Sequence, residues 1–109
     1  MEERLATLEF YVELLLKQID RSKYPWDYLI MSSKLSKRDV QALYQLCEEL
    51  SKEMDKQKAE GFVTFSPLLI QFREALPPSL PLEETIAALR TQGHYVPLMD
   101  AFQKLIKKK

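Results

Sequence analysis

From Glu3 to Arg21 the chain reads ERLATLEFYVELLLKQIDR. Within this stretch Leu5, Leu8, Val12, Leu15 and Ile19 follow one another at spacings of three, four, three and four. That is the a/d rhythm of a coiled-coil seam. Acidic Glu2 and Glu3 at its start, with Lys17 and Arg21 towards its end, suit the helix dipole. The pattern predicts a helix over about residues 3–21. Phe10, Tyr11, Leu14 and Leu16 lie outside the seam, so the apolar arc spans roughly 240° at 100° per residue. Only the side bearing Glu9, Glu13, Lys17 and Asp20 reads as solvated.

An ordinary surface helix covers its core with an apolar face a little over about 100° wide. The excess here has two explanations. The helix is central in its own monomer, or one face packs internally while the seam pairs with copies of itself. The second is the reading adopted. Val12 and Ile19 at a, with Leu8 and Leu15 at d, favour a parallel dimer. Two and a half heptads leave a trimer or an antiparallel pair open.

Beyond this stretch the punctuation predicts helices joined by short loops. The two glycines, Gly61 and Gly93, fall at helix ends, and no Asn-Gly or Asp-Gly hairpin signal occurs. A short helix is expected after Pro25, carrying Trp26, Leu29 and Ile30. Ser36 with Asp39 resembles a capping box and should open a long helix to about Glu60, with Gly61 in the left-handed position after it. Its stripe is Val40, Leu43, Cys47, Leu50 and Met54. Beyond Ser51 it is apolar only at Met54 and Ala59, so that half projects into water or packs through a narrow stripe. Glu48–Lys52, Glu53–Lys56 and Asp55–Lys58 are spaced to support it.

Ser66-Pro67 marks another start, with Phe65 and Ile70 at the spacing of a hydrophobic staple. That helix should end near Leu76, before a stiff connector from Pro77 to Pro81. Further helices are expected at about 82–92 and 95–107. Phe62 to Phe65 is either an extended connector or a fragment of sheet. The fold expected is all-α: one domain over residues 1–109, a bundle of about five to six helices with a coiled-coil-like N-terminal helix.

Composition narrows the function classes. Hydrophobic residues are 46% and charged residues 29% of 109, ordinary globular usage. Sixteen basic residues balance sixteen acidic ones, so the basic excess typical of nucleic-acid binders is absent. A neutral chain also offers no charge barrier to self-association. No apolar run approaches the roughly 20 residues needed to span a bilayer. The N-terminus lacks a secretory pattern, and the cytoplasm is the expected location.

Candidate chemistry is sparse. One cysteine and one histidine permit neither an internal disulfide nor a Cys/His metal site within one chain. Cys47 sits mid-stripe, where a buried thiol is inert. His94 follows Gly93 at a helix junction and reads as a capping or solvated residue. The adjacent pairs Glu48-Glu49 and Glu83-Glu84 point about 100° apart on a helix and cannot share one site. No phosphate loop, EF-hand or nucleophile elbow is present. No catalytic residue, cofactor or metal is therefore expected.

Tyr24, Trp26 and Tyr28 form the densest aromatic cluster, a ligand platform or, in the favoured reading, a plug at one end of the bundle. The tail with Lys104, Lys107, Lys108 and Lys109 could meet phosphate, or could simply suit a helix C-terminus. Residues 82–107 superficially suggest a helix-turn-helix, yet Tyr95-Val96-Pro97-Leu98-Met99-Asp100 is core-like where base readers are needed.

Cys47-Glu48-Glu49-Leu50-Ser51, Gln57-Lys58-Ala59 and Gly61-Phe62-Val63-Thr64-Phe65 resemble the central signature of the YhaI-like proteins, small uncharacterised proteins of bacilli. Glu84-Thr85-Ile86, Ala88-Leu89, Gln92-Gly93, Tyr95, Leu98-Met99 and Phe102 resemble their C-terminal pattern, and Arg4-Leu5 through Tyr11 also fits. The resemblance covers nearly the whole chain and implies an all-helical fold in a bacterial cytoplasm. It supplies no activity, cofactor or catalytic residue.

The function expected is that of a non-enzymatic, homo-oligomeric interaction or structural protein, a dimer or trimer built through Leu5, Leu8, Val12, Leu15 and Ile19. The alternatives are a nucleic-acid-binding regulator using the lysine tail, and a small-molecule-binding protein with an aromatic site near Trp26.

Overall fold

A computed structural model describes residues 1–107. Within them the chain is an all-helical bundle, with α1 Glu2–Leu16, α2 Pro25–Ser32, α3 Lys37–Ala59, α4 Ser66–Ala75, α5 Leu82–Thr91 and α6 Val96–Lys107. Among the described residues no strand forms, and Phe62 to Phe65 is an irregular connector between α3 and α4.

Local chemistry sets the boundaries. Ser36 and Asp39 form the capping box at α3: the Asp39 N–H donates to Ser36 Oγ at 3.0 Å, and the Ser36 N–H donates to Asp39 Oδ2 at 3.0 Å. Three helices end in the same double-bonded loop. In α3, Phe62 N–H reaches the Gln57 carbonyl and Gly61 N–H reaches that of Lys58. In α5, His94 N–H reaches Leu89 and Gly93 N–H reaches Arg90. Gly61 (φ 94°) and Gly93 (φ 81°) take the left-handed position that the motif requires. In α2 the bonds are Leu35 to Ile30 and Lys34 to Met31, with Lys34 itself left-handed at φ 57°.

The core is built from one side of each of α2 to α6. On α3 it takes Leu43, Cys47, Leu50 and Met54, against Leu68 and Phe72 of α4 and Leu98, Met99 and Phe102 of α6. Ile86, Ala88 and Leu89 of α5 and Trp26 of α2 close it. The Phe72 and Phe102 rings meet at 5.3 Å, tilted by 43°. Leu80 enters the core from the proline-rich connector, where its N–H donates to the Pro77 carbonyl.

Several expectations are corrected. Phe65 is buried in the core and Ile70 stays exposed, so they form no staple, and Ser66 is the first helical residue rather than the cap. The expected α3 ion pairs remain open, and the one salt bridge among the described residues joins Arg90 to Asp100. Exposed lysine and glutamate side chains gain too little from pairing to offset the entropy of holding them. The N-terminal helix stops at Leu16 rather than Arg21. There the bonding tightens to Gln18 on Leu15 and Ile19 on Leu16, and an Asp20-centred turn takes over.

The largest correction concerns where α1 lies. The expectation is one face packed internally with the seam left free, yet neither face enters the core and the helix is not central: no α1 residue is buried, and its main neighbour is α2. The radius of gyration is 16.2 Å and the long axis 57 Å. A compact chain of this length has a radius of gyration of about 13 Å. The chain is elongated because α1, about 22 Å long at 1.5 Å per residue, stands off the α2–α6 body.

Candidate functional site

The face that stands off is apolar. Leu5, Leu8 and Leu15 keep 57%, 58% and 58% of their surface exposed, and Val12 keeps 40%. Phe10, Tyr11 and Leu14 are exposed beside them. Four of the five expected seam residues lie on this one helix. Ile19 falls beyond its last turn and is partly buried there. The expected seam therefore keeps four residues within α1.

The turn that carries α1 is locally held. Asp20 Oδ1 accepts from the Ser22 N–H at 3.0 Å and from its hydroxyl at 2.5 Å, and the Tyr24 N–H donates to the Asp20 carbonyl at 2.9 Å. The Ser22 hydroxyl and N–H stabilise the carboxylate and lower its pKa. The Arg21 guanidinium lies 3.6 Å from the centroid of the Tyr28 ring on α2. A local turn and a cation–ring contact thus stand where a buried interface would otherwise hold the helix.

The aromatic cluster of the sequence is divided by the fold. Trp26 is fully buried, Tyr24 is half exposed, and Tyr28 lies under Arg21. What Trp26 joins is Tyr44, a residue that sequence reasoning passed over. The indole N–H donates to Tyr44 Oη at 2.8 Å. The Tyr44 ring also stacks on His94 at 5.3 Å and sits 6.1 Å from Tyr95. The only signal was position, since Tyr44 follows Leu43 at the edge of the α3 stripe. Tyr95 is left-handed at φ 52°. Its phenol pKa is pushed up, first by desolvation and further by the negative charge of Glu48. Cys47 is buried in the same stripe, and desolvation raises its pKa to about 12. A thiol so protonated is no nucleophile at neutral pH.

Gln92 ties α5 to α2: its Oε1 accepts from the Asp27 N–H at 2.8 Å and its Nε2 donates to Asp27 Oδ1 at 3.1 Å. An open groove runs between the α3–α4 connector and α6, bordered by Val63, Phe65, Pro97, Lys58, Lys104 and Lys107. Lys108 and Lys109, the rest of the lysine tail, lie outside the described residues. Leu98 and Met99, in the start of the helix that superficially resembled a recognition helix, are buried.

Among the described residues no group of three His, Cys, Asp or Glu side chains converges to hold a metal. No described helix is long and apolar enough to cross a membrane. What distinguishes the molecule is a helix whose apolar face its own chain leaves bare. The family match runs from α1 through the end of α6, so this helix falls within the matched region. The chain belongs to the family described as "Protein of unknown function (DUF1878)", which matches residues 1–107.

Proposed function

We propose that this protein is a non-enzymatic interaction module that self-associates through α1 as a dimer or trimer in the bacterial cytoplasm. Within its family we place it among the YhaI-like proteins of bacilli, on the blocks Cys47–Ser51 and Gly61–Phe65.

The observation that carries the reading is that α1, a 15-residue helix rich in leucine, places no side chain in the core, and only Leu16 at its end is partly buried. Isolated helices of about 12–15 residues are marginal in water, and in proteins most helical stability comes from packing an apolar face. This helix has such a face and no core beneath it. A second copy supplies the missing surface, and the zero net charge of the chain does not oppose the encounter. The buried thiol and the single histidine stacked on Tyr44 support the non-enzymatic part of the reading.

Absolute mass by light scattering after size exclusion, across about a hundredfold dilution, tests it. A mass twice or three times 12.8 kDa is expected at the concentrated end. A monomer at every concentration overturns the reading.

A further inference from the structure

We infer that two copies pair their α1 helices parallel and in register, with Arg4 of each copy meeting Glu9 of the other. This rests on α1 being the self-association surface and adds the partner's orientation and the residues that select it. With Leu5 and Val12 at a and Leu8 and Leu15 at d, Arg4 and Tyr11 fall at g, and Glu9 and Leu16 at e. These positions flank the seam, and their side chains set partner choice and orientation in coiled coils.

In a parallel pair each g residue faces the e residue five positions further along the other helix. Arg4 then meets Glu9, and Tyr11 meets Leu16. The two-fold axis repeats both contacts. One contact joins opposite charges and the other joins two apolar side chains. The groups are available for it. Arg4, Glu9 and Tyr11 are exposed, Leu16 is partly exposed, and neither Arg4 nor Glu9 forms a salt bridge among the described residues.

The fully overlapped antiparallel pair is mismatched along the e flank. It stacks Leu5 on Leu15 and Leu8 on Val12, and it sets e against e. Glu9 then faces Glu9 and Leu16 lies beside Glu2. Like charges at that distance destabilise a pair by about as much as opposite charges favour it. Of the two a residues, Val12 is β-branched and, with Leu8 and Leu15 at d, points the same way, to two parallel strands, whereas Leu5 carries no such preference. Each α2–α6 body follows the C-terminal end of its own α1, so the pair carries both bodies at one end of the seam.

Orientation is read by disulfide trapping in a Cys47→Ala chain, and independently by charge exchange in the chain with its own cysteine. Under mild oxidation Leu8→Cys should give a covalent dimer, and a mixture of differently tagged Leu5→Cys and Leu15→Cys chains should give no mixed dimer. Glu9→Arg should raise the dimer dissociation constant about fivefold, and adding Arg4→Glu should restore it. A mixed Leu5–Leu15 disulfide, or failure of Arg4→Glu to rescue, overturns the parallel pairing while leaving self-association standing. A trimer mass overturns the two-stranded arrangement. A monomer mass at every concentration overturns the underlying reading of α1.

Discussion

Consider the double substitution Leu8→Glu with Leu15→Glu. Both leucines are 58% exposed in the chain, so more than half of each side chain is still to be covered. Burying a leucine completely is worth about 1.5–3 kcal/mol, so covering what remains contributes about 1–1.5 kcal/mol per side chain. A dimer covers four of them, or about 4–6 kcal/mol. At 1.4 kcal/mol per factor of ten, their loss raises the dissociation constant about a thousandfold to ten-thousandfold, before any penalty for burying glutamate. Within one chain neither leucine is buried, and exposed positions of this kind change stability by about 0.5 kcal/mol or less.

The assay therefore has three readouts. Light scattering should give 12.8 kDa where the parent chain is assembled. The far-ultraviolet helical signal should fall with the mass, because α1 without a partner is a marginal helix. The emission of Trp26, buried in the body against Tyr44, should not move. An unchanged assembly mass refutes the seam. A shift of Trp26 emission to that of unfolded protein refutes the separation of α1 from the body.

Three further outcomes follow from the body. Cys47 should stay unreactive towards an aromatic disulfide reagent at pH 8 and react only as the chain unfolds, because burial holds its pKa near 12. The Asp39 carboxyl is held below its ordinary 3.8 by its bonds with Ser36. Its contribution is thus present at neutral pH and lost as pH falls below the ordinary aspartate range, and Ser36→Ala should flatten that acid limb of the stability curve. Lys34→Gly, at the left-handed residue after α2, should raise stability by up to about 1 kcal/mol, whereas Gly93→Ala should lower it by about 1–2 kcal/mol. Thermal unfolding reads both.

The residues that were legible in sequence are those whose partners lie close along the chain. Ser36 and Asp39 bond to each other, and Gly61 and Gly93 answer to the helices they end, so these features are visible in a short window. The α3 stripe was equally readable, since Leu43, Cys47, Leu50 and Met54 sit on one face by helical geometry alone. The left-handed Lys34 was not, because nothing about a lysine announces positive φ. Phe65 likewise had a plausible local partner in Ile70, and the core took it instead.

The candidate site divides in the same way. That α1 is a helix with more apolar surface than its own chain requires could be read from the order of Leu5, Leu8, Val12 and Leu15. Whether that surface was already covered could not, because coverage depends on where α1 lies relative to α2–α6. The tertiary structure alone decided it, in two places. Tyr44 gathers Trp26 and the adjacent pair His94 and Tyr95 from two distant segments into the body, and α1 leaves that body at the locally bonded Asp20 turn. Amino-acid order sets the period of a helix and its caps, because those interactions span a few residues. Which face stays bare is settled by contacts between segments tens of residues apart.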